Sequence, residues 1–202
     1  MDKTKDIIIT EKISQNQLNQ AVDIYYFAFQ RKIRALIKLT EKALAIYKKA
    51  LNPDRGLFAL SNHSVVGVTG LHYDNKNFME IKYKYIREHF NPIQSYFIYF
   101  INKIMSPKLE PGVLRIDSIA VAENARGQGI GSLLIKKVFE FAKEKGFKKI
   151  VLEVVDTNPK AKKLYERLGF KEKKIVKYYF TKRVAGFSSE SIMIFNMENF
   201  SD

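Results

Sequence analysis

Arg126-Gly127-Gln128-Gly129-Ile130-Gly131 sets three glycines at alternate positions beside an arginine. Glycine tolerates φ > 0 and lets a backbone come close to a ligand. Where such a turn opens a helix, unpaired N–H groups and the positive end of the helix dipole face whatever lies in front of it. The chemistry is binding of a phosphate or pyrophosphate, with Arg126 adding a charge. The alternative is a flexible loop before an ordinary helix, and the glycines alone do not separate the two. A P-loop is excluded, because Gly131 is followed by Ser132 with no lysine between them. A dinucleotide fingerprint needs GxGxxG directly after a strand, whereas this spacing is GxGxG after several loop residues. Glu153 lies roughly where a ribose-binding acid would be, so a nucleotide-binding βαβ protein stands as a rival.

The elements around the turn can be read from periodicity. Val113–Val121 follows a Pro111-Gly112 turn signal and is rich in β-branched residues, so it reads as a strand. From Ile130 the period becomes helical, with Leu133, Leu134, Val138 and Phe141 on one face and Gly146 at the end. Lys148–Val155 is a second strand, which should run parallel to the first. After Asp156-Thr157-Asn158-Pro159, a helix from Lys160 to Leu168 carries Ala161, Leu164, Tyr165 and Leu168 on one face and stops at Gly169.

The pair of motifs, R-x-x-G-x-G and then N-x-x-A-x-x-L-Y-E-x-L-G-F from Asn158 to Phe170, resembles the GNAT superfamily of acyl-CoA-dependent N-acyltransferases. The resemblance covers Val113 to about Lys171 closely and the flanks in outline. It implies an α/β (α+β) fold: a mixed, mostly antiparallel sheet of about six or seven strands, helices on both faces, and a splayed central parallel pair. It implies acetyl-CoA as co-substrate, no metal, and transfer to a primary amine. The coenzyme's contacts would fall on the backbone of Ile119, Ala120 and Val121, on the turn Arg126, Gly127, Gln128, Gly129, Ile130, Gly131 and Ser132, and on Asn158, Lys160, Ala161 and Tyr165.

Within that resemblance five residues are candidates for the chemistry. Tyr165 matches the tyrosine that protonates the leaving thiolate, and its other reading is a packed core residue. Asn158 matches an asparagine that contacts the coenzyme, and it also fits a helix cap. An ammonium of pKa ~10 must lose a proton before it can attack. Asp117 is the first candidate for the base, on the same side of a regular strand as Arg115 and Ile119; Glu153 is second and His72 third. Asp117 could instead pair with Arg115 or hold the ammonium, and Glu153 could be a sheet-edge charge. Without cysteine there is no cysteine acyl-enzyme, so transfer should be direct, in a ternary complex.

Before this region the sequence predicts a strand at Ile7–Ile9, a helix from Gln15 to about Phe29 capped by Ser14, and a second helix from Arg31 to Leu51. A hairpin of Gly56–Ser61 and Val65–Tyr73 turns at Asn62-His63. Residues 74–110 are expected to form a helical insertion within a single domain 1–202, with helices at Phe78–Phe90 and Ile93–Met105 and eight aromatics. Segments before the central strand shape the acceptor side of the cleft in the family the sequence resembles, so the resemblance implies a wall or lid there; the alternative is a helical pair burying its apolar face on the body or on a second subunit, which is compatible with a homodimer. Two antiparallel strands, Lys173–Thr181 and Ser191–Met197, close the sheet.

At 202 residues with 46% hydrophobic content the chain can build a sizeable core. The first ten residues are too charged for a signal peptide and no apolar run reaches membrane-spanning length, so the expected location is cytoplasmic, with no membrane partner. The net charge of +14 suits an anionic ligand such as coenzyme A. Its basic residues are scattered, which reads as solvated surface and argues against nucleic acid. The acceptor is expected to be a small molecule of polyamine, amino sugar or amino acid type. A peptide or ribosomal-protein amine is the alternative, and a non-catalytic acyl-CoA-binding module the other.

Overall fold

A computed structural model describes residues 6–104, 108–178 and 186–200. Seven strands form one sheet in the order β1-β2-β3-β4-β5-β7-β6. They are β1 (Ile8–Thr10), β2 (Gly56–Ser61), β3 (Ser64–His72), β4 (Val113–Val121), β5 (Lys149–Val155), β6 (Lys171–Lys177) and β7 (Ser189–Asn196). Neighbours run antiparallel except β4 and β5, the parallel pair that the strand-helix-strand pattern demands. The helices are α1 (Gln15–Leu36), α2 (Thr40–Ala50), α3 (Tyr83–Arg87), α4 (Pro92–Ile104), α5 (Ile130–Glu144) and α6 (Pro159–Arg167).

Two cores lie on the sheet's two sides. One gathers α5, through Ile130, Leu134, Ile135 and Val138, against Leu114, Ile116, Ile150 and Leu152 of the central strands. Full burial of a leucine such as Leu134 is worth about 1.5–3 kcal/mol. The other core gathers α1 and α2, through Val22, Tyr26, Ile33 and Ile46, against Phe58, Val68 and Ala120. Ser14 caps α1 as its sequence suggests, in a reciprocal capping box with Gln17.

Two expected boundaries move. The break between the first two helices falls at Ile37–Leu39, not near Gln30. No glycine or proline lies near Gln30, so the stripe carries on through buried Ile33. The corner is set from outside: Ile37 turns extended into the core, and the Tyr26 hydroxyl meets the Thr40 hydroxyl at 2.9 Å. The helix expected over Phe78–Phe90 shrinks to α3, and the chain before it is extended. There Phe78 and Glu80 trade backbone hydrogen bonds with Asn52 and Ala50, and Phe78 is buried beside Tyr25 and Phe58. Tertiary pairing outweighs a helical pattern in so short a run. In α4, Tyr96, Phe97 and Phe100 face solvent, while Tyr99 packs on the second core together with Tyr85 of α3 and Phe90 of the loop between the helices.

Candidate active site

Parallel pairing of β4 with β5 lasts only from Val113 to Ile116 opposite Lys149 to Leu152. Beyond it the strands part. The edge of Asp117–Val121 that would face β5 has no partner strand among the described residues, while its other edge stays paired to β3. The gap is a cleft of about 630 Å3 lined by Asp117, Ile119, Glu153, Asn158 and Tyr165 among others. A smaller cavity of about 230 Å3 adjoins it at Arg115, Asp117 and Ser118, on the α1 side of the sheet.

A register shift sits at this junction. Gly70 pairs with Ser118 and Leu71 with Ile116, so Asp117 is the extra residue of a bulge. The alternation of a regular strand therefore fails here. Arg115, Asp117 and Ser118 all reach the α1-side cavity, whereas Ile119 packs toward the α5 core, so the expected shared side for Asp117 and Ile119 does not hold. Gly70 is required opposite: a Cβ there would lie 2.5 Å from the Phe78 ring and 2.6 Å from Ser118 Oγ.

Asp117 heads a charged cluster. Its carboxylate lies 3.1 Å from Arg115 Nε, an ion pair without hydrogen-bond alignment, and Arg115 Nη2 donates to Glu153 at 3.0 Å. Burial pushes the Asp117 carboxyl up; Arg115 pulls it down and Glu153 pushes it up again, leaving it at about 6. Behind it His72 Nδ1 stands 3.8 Å away, buried and without a hydrogen-bond partner among the described residues. Burial, with Arg115 and Arg55 nearby, lowers the His72 pKa, which favours the neutral ring.

The glycine turn precedes α5 as expected. Gly127 and Gly129 have φ of 77° and 78°, and Gly129 is the N-cap with no side chain to satisfy the helix end. Gly131 departs from the expectation: it lies inside the first helical turn, without positive φ. A Cβ there would meet Leu164 of α6 at 3.6 Å, an ordinary van der Waals contact, so neither φ nor space demands glycine at this position. Among the described residues the N–H groups from Gly127 to Gly131 find no protein acceptor. Arg126 folds back, its Nε donating to the Val121 carbonyl at 3.3 Å, and Gln128 donates to the Asn124 carbonyl. Ser132 is half-buried in the same helical turn, and Ala120 is buried on the α1 side of the sheet.

Asn158 caps α6, its Oδ1 accepting the Ala161 N–H at 3.2 Å, while the residue also lines the cleft. Ala161 packs on the α5 core, and Lys160 lies on the outer surface with Lys163 and Arg167. Tyr165 packs 6.0 Å from Phe170 and also lines the cleft, and its hydroxyl has no hydrogen bond among the described residues. Burial raises its pKa to about 12, so it keeps its proton at neutral pH.

Sequence reasoning missed the far wall. Lys32 of α1 reaches Glu190 of β7 at 2.9 Å, Glu190 also accepts from the Tyr178 hydroxyl at 3.1 Å, and Lys32 stands 4.6 Å over the Phe187 ring. Ser118, whose buried Oγ has no partner, was missed as well. No local pattern marks these residues; only the folded sheet brings α1 to β7. Among the described residues no group of His, Cys, Asp and Glu could hold a metal, and no helix is long and apolar enough to cross a membrane.

With this geometry in place the comparisons are specific. The pattern of the acetyltransferase (GNAT) family matches residues 19–170, and the chain belongs to that family. It is 47% identical over 57 residues to thialysine N-epsilon-acetyltransferase of Sus scrofa, covering 28% of this chain and 34% of that protein. The chain thus matches about a third of that relative's length. A solved structure described as an acetyltransferase superposes with TM-score 0.64 at 20% identity, over 94% of this chain and 99% of that one. A GNAT family acetyltransferase from Elizabethkingia anophelis, solved with acetyl-CoA bound, superposes with TM-score 0.53 at 18% identity, over 95% and 99%. The mixed, mostly antiparallel sheet is the GNAT fold.

Proposed function

We propose that the protein transfers the acetyl group of acetyl-CoA to a primary amine of a small molecule, by direct attack in a ternary complex. One observation carries the reading. The β4–β5 splay opens at Asp117 into a cleft lined by Asn158 and Tyr165, and the same strand leads on to a turn whose N–H groups, like the Tyr165 hydroxyl, find no partner among the described residues. The turn from Gly127 to Gly131, with Ser132 behind it and Arg126 beside it, would hold the pyrophosphate. The unpaired edge of Ile119–Val121 would hold the pantetheine arm, and one of its N–H groups would take the charge that develops on the acetyl oxygen. Asn158 and Ala161 border the arm at the start of α6.

The co-substrate supplies an acetyl group activated as a thioester. Asp117, directly or through one water, takes the first proton from the ammonium. The nitrogen lone pair forms the C–N bond to the acetyl carbon, and the C–S bond breaks. Tyr165 gives its proton to the departing sulfur and recovers one from the nitrogen, so amide and thiol leave with one net proton released to solvent. Glu153 and His72 act from behind: Glu153 holds Arg115, and His72 stands at the back of the carboxyl.

The test is release of coenzyme A from acetyl-CoA with pooled amines, alongside direct titration of acetyl-CoA. Saturable release that needs both components, with no acetylated protein on the way, supports the reading. Acetyl-CoA that fails to bind overturns it.

A further inference from the structure

The cavity on the α1 side says which amines fit, given the acetyltransferase reading above, on which this inference rests. Its lining is dominated by Tyr25, Phe29, Leu36, Tyr47, Phe78 and Ile81. Burial raises the pKa of Tyr25 and Tyr47, so both rings stay neutral. A single carboxylate, Asp117, stands at the mouth. The two cations of the lining already have carboxylate partners, Lys32 that of Glu190 outside the cavity and Arg115 those of Glu153 outside it and Asp117 within it.

Size gives a second constraint. An apolar cavity of roughly 150 Å3 takes up a benzene ring. About 230 Å3 therefore leaves room for a ring and a short aminoalkyl chain, and not for a sugar oligomer. The third observation is Ser118. The residue lines this cavity beside Asp117, and its Oγ, closed off from solvent on the Gly70 side, has no hydrogen-bond partner among the described residues. A buried hydroxyl without a partner is costly unless a ligand supplies one, and an amine N–H entering toward Asp117 would do so.

We propose that the acceptor is a mono-amine on a compact apolar body of aromatic-ring size, its nitrogen held between Asp117 and Ser118 and its body among the rings of α1, α2 and Phe78. A second ammonium would meet no carboxylate in the cavity and would face Lys32 and Arg115. Polyamines, which the sequence alone allows, are therefore disfavoured, as are aminoglycosides.

The experiment compares 2-phenylethylamine, ethylamine, spermidine and lysine at pH 8 under saturating acetyl-CoA, reading coenzyme A release. The expected order places kcat/KM for 2-phenylethylamine on the order of 100-fold above spermidine and more than about tenfold above ethylamine. Leu36→Phe, which narrows the cavity, should collapse the phenylethylamine-to-ethylamine ratio toward one. Ser118→Ala should raise KM for 2-phenylethylamine about tenfold with a smaller change in kcat. Spermidine or lysine matching the aryl amine, or a ratio that Leu36→Phe leaves intact, overturns the assignment while leaving the acetyltransferase reading standing. Acetyl-CoA that binds with no amine acetylated also overturns it. Acetyl-CoA that does not bind removes the reading beneath it.

Discussion

Asp117→Asn should make the protein more stable and nearly inactive at once. The carboxyl sits at about 6 in the folded chain against 3.8 in an unconstrained one. Two units correspond to about 3 kcal/mol. That is a ceiling, because the residue opens onto a wet cleft, and screening brings the figure to about 1–2 kcal/mol. The sign follows from linkage. A carboxyl that binds its proton more tightly when folded leaves stability highest at low pH and erodes it as pH rises from about 4 through about 6. At pH 8 the penalty is fully developed, and asparagine removes it. The melting temperature should rise by about 2–8 °C at pH 8 and hardly at all at pH 4. Over the same change turnover should fall by about 10²–10⁴-fold, the worth of a positioned base. Circular-dichroism melts at the two pH values, paired with rates of coenzyme A release, read both effects. A variant that melts lower at pH 8, or that keeps most of its turnover, would refute the reasoning.

Other expectations follow from the same geometry. Tyr165→Phe should lower kcat by about 10²-fold, while acetyl-CoA affinity and melting temperature barely change, because the hydroxyl bonds to nothing among the described residues; equilibrium titration and melts check this. In the wild type the rate should climb with pH through about 6 as Asp117 ionises, and show no fall from Tyr165 until near its value of about 12. Glu153→Gln should move that rising limb to lower pH, since Glu153 pushes the Asp117 carboxyl up; a limb that stays in place would detach the two groups. Gly129→Ala forces a side chain into φ of 78° and should cost about 1–2 kcal/mol in a denaturant titration, with weaker acetyl-CoA binding.

How far the sequence could be read depends on the range of the forces involved. The parallel pair, α5 and α6 were legible because their signals are local: a β-branched run, three alternate glycines, an asparagine cap three residues before Ala161. So was the convergence of Tyr165, Asn158 and Asp117 on one cleft, once the two motifs had named the family's arrangement. The Asp117 bulge was not legible, because it arises from pairing with β3, and Gly70 bears on it through packing against Phe78 and Ser118. Phe78 itself looked helical by period and was taken into the core by pairing with the end of α2. Lys32 and Glu190 lie in different halves of the chain, and nothing in either local pattern points to the other. Long-range contacts decide such positions, and period carries no information about them.

The most direct measurement is a crystal structure with coenzyme A bound. The pyrophosphate should lie on the N–H groups of Gly127 to Gly131 and the sulfur in the β4–β5 splay, within hydrogen-bond reach of the Tyr165 hydroxyl and facing Asp117. A coenzyme whose sulfur lies outside the splay, or whose pyrophosphate avoids the turn, would contradict this placement.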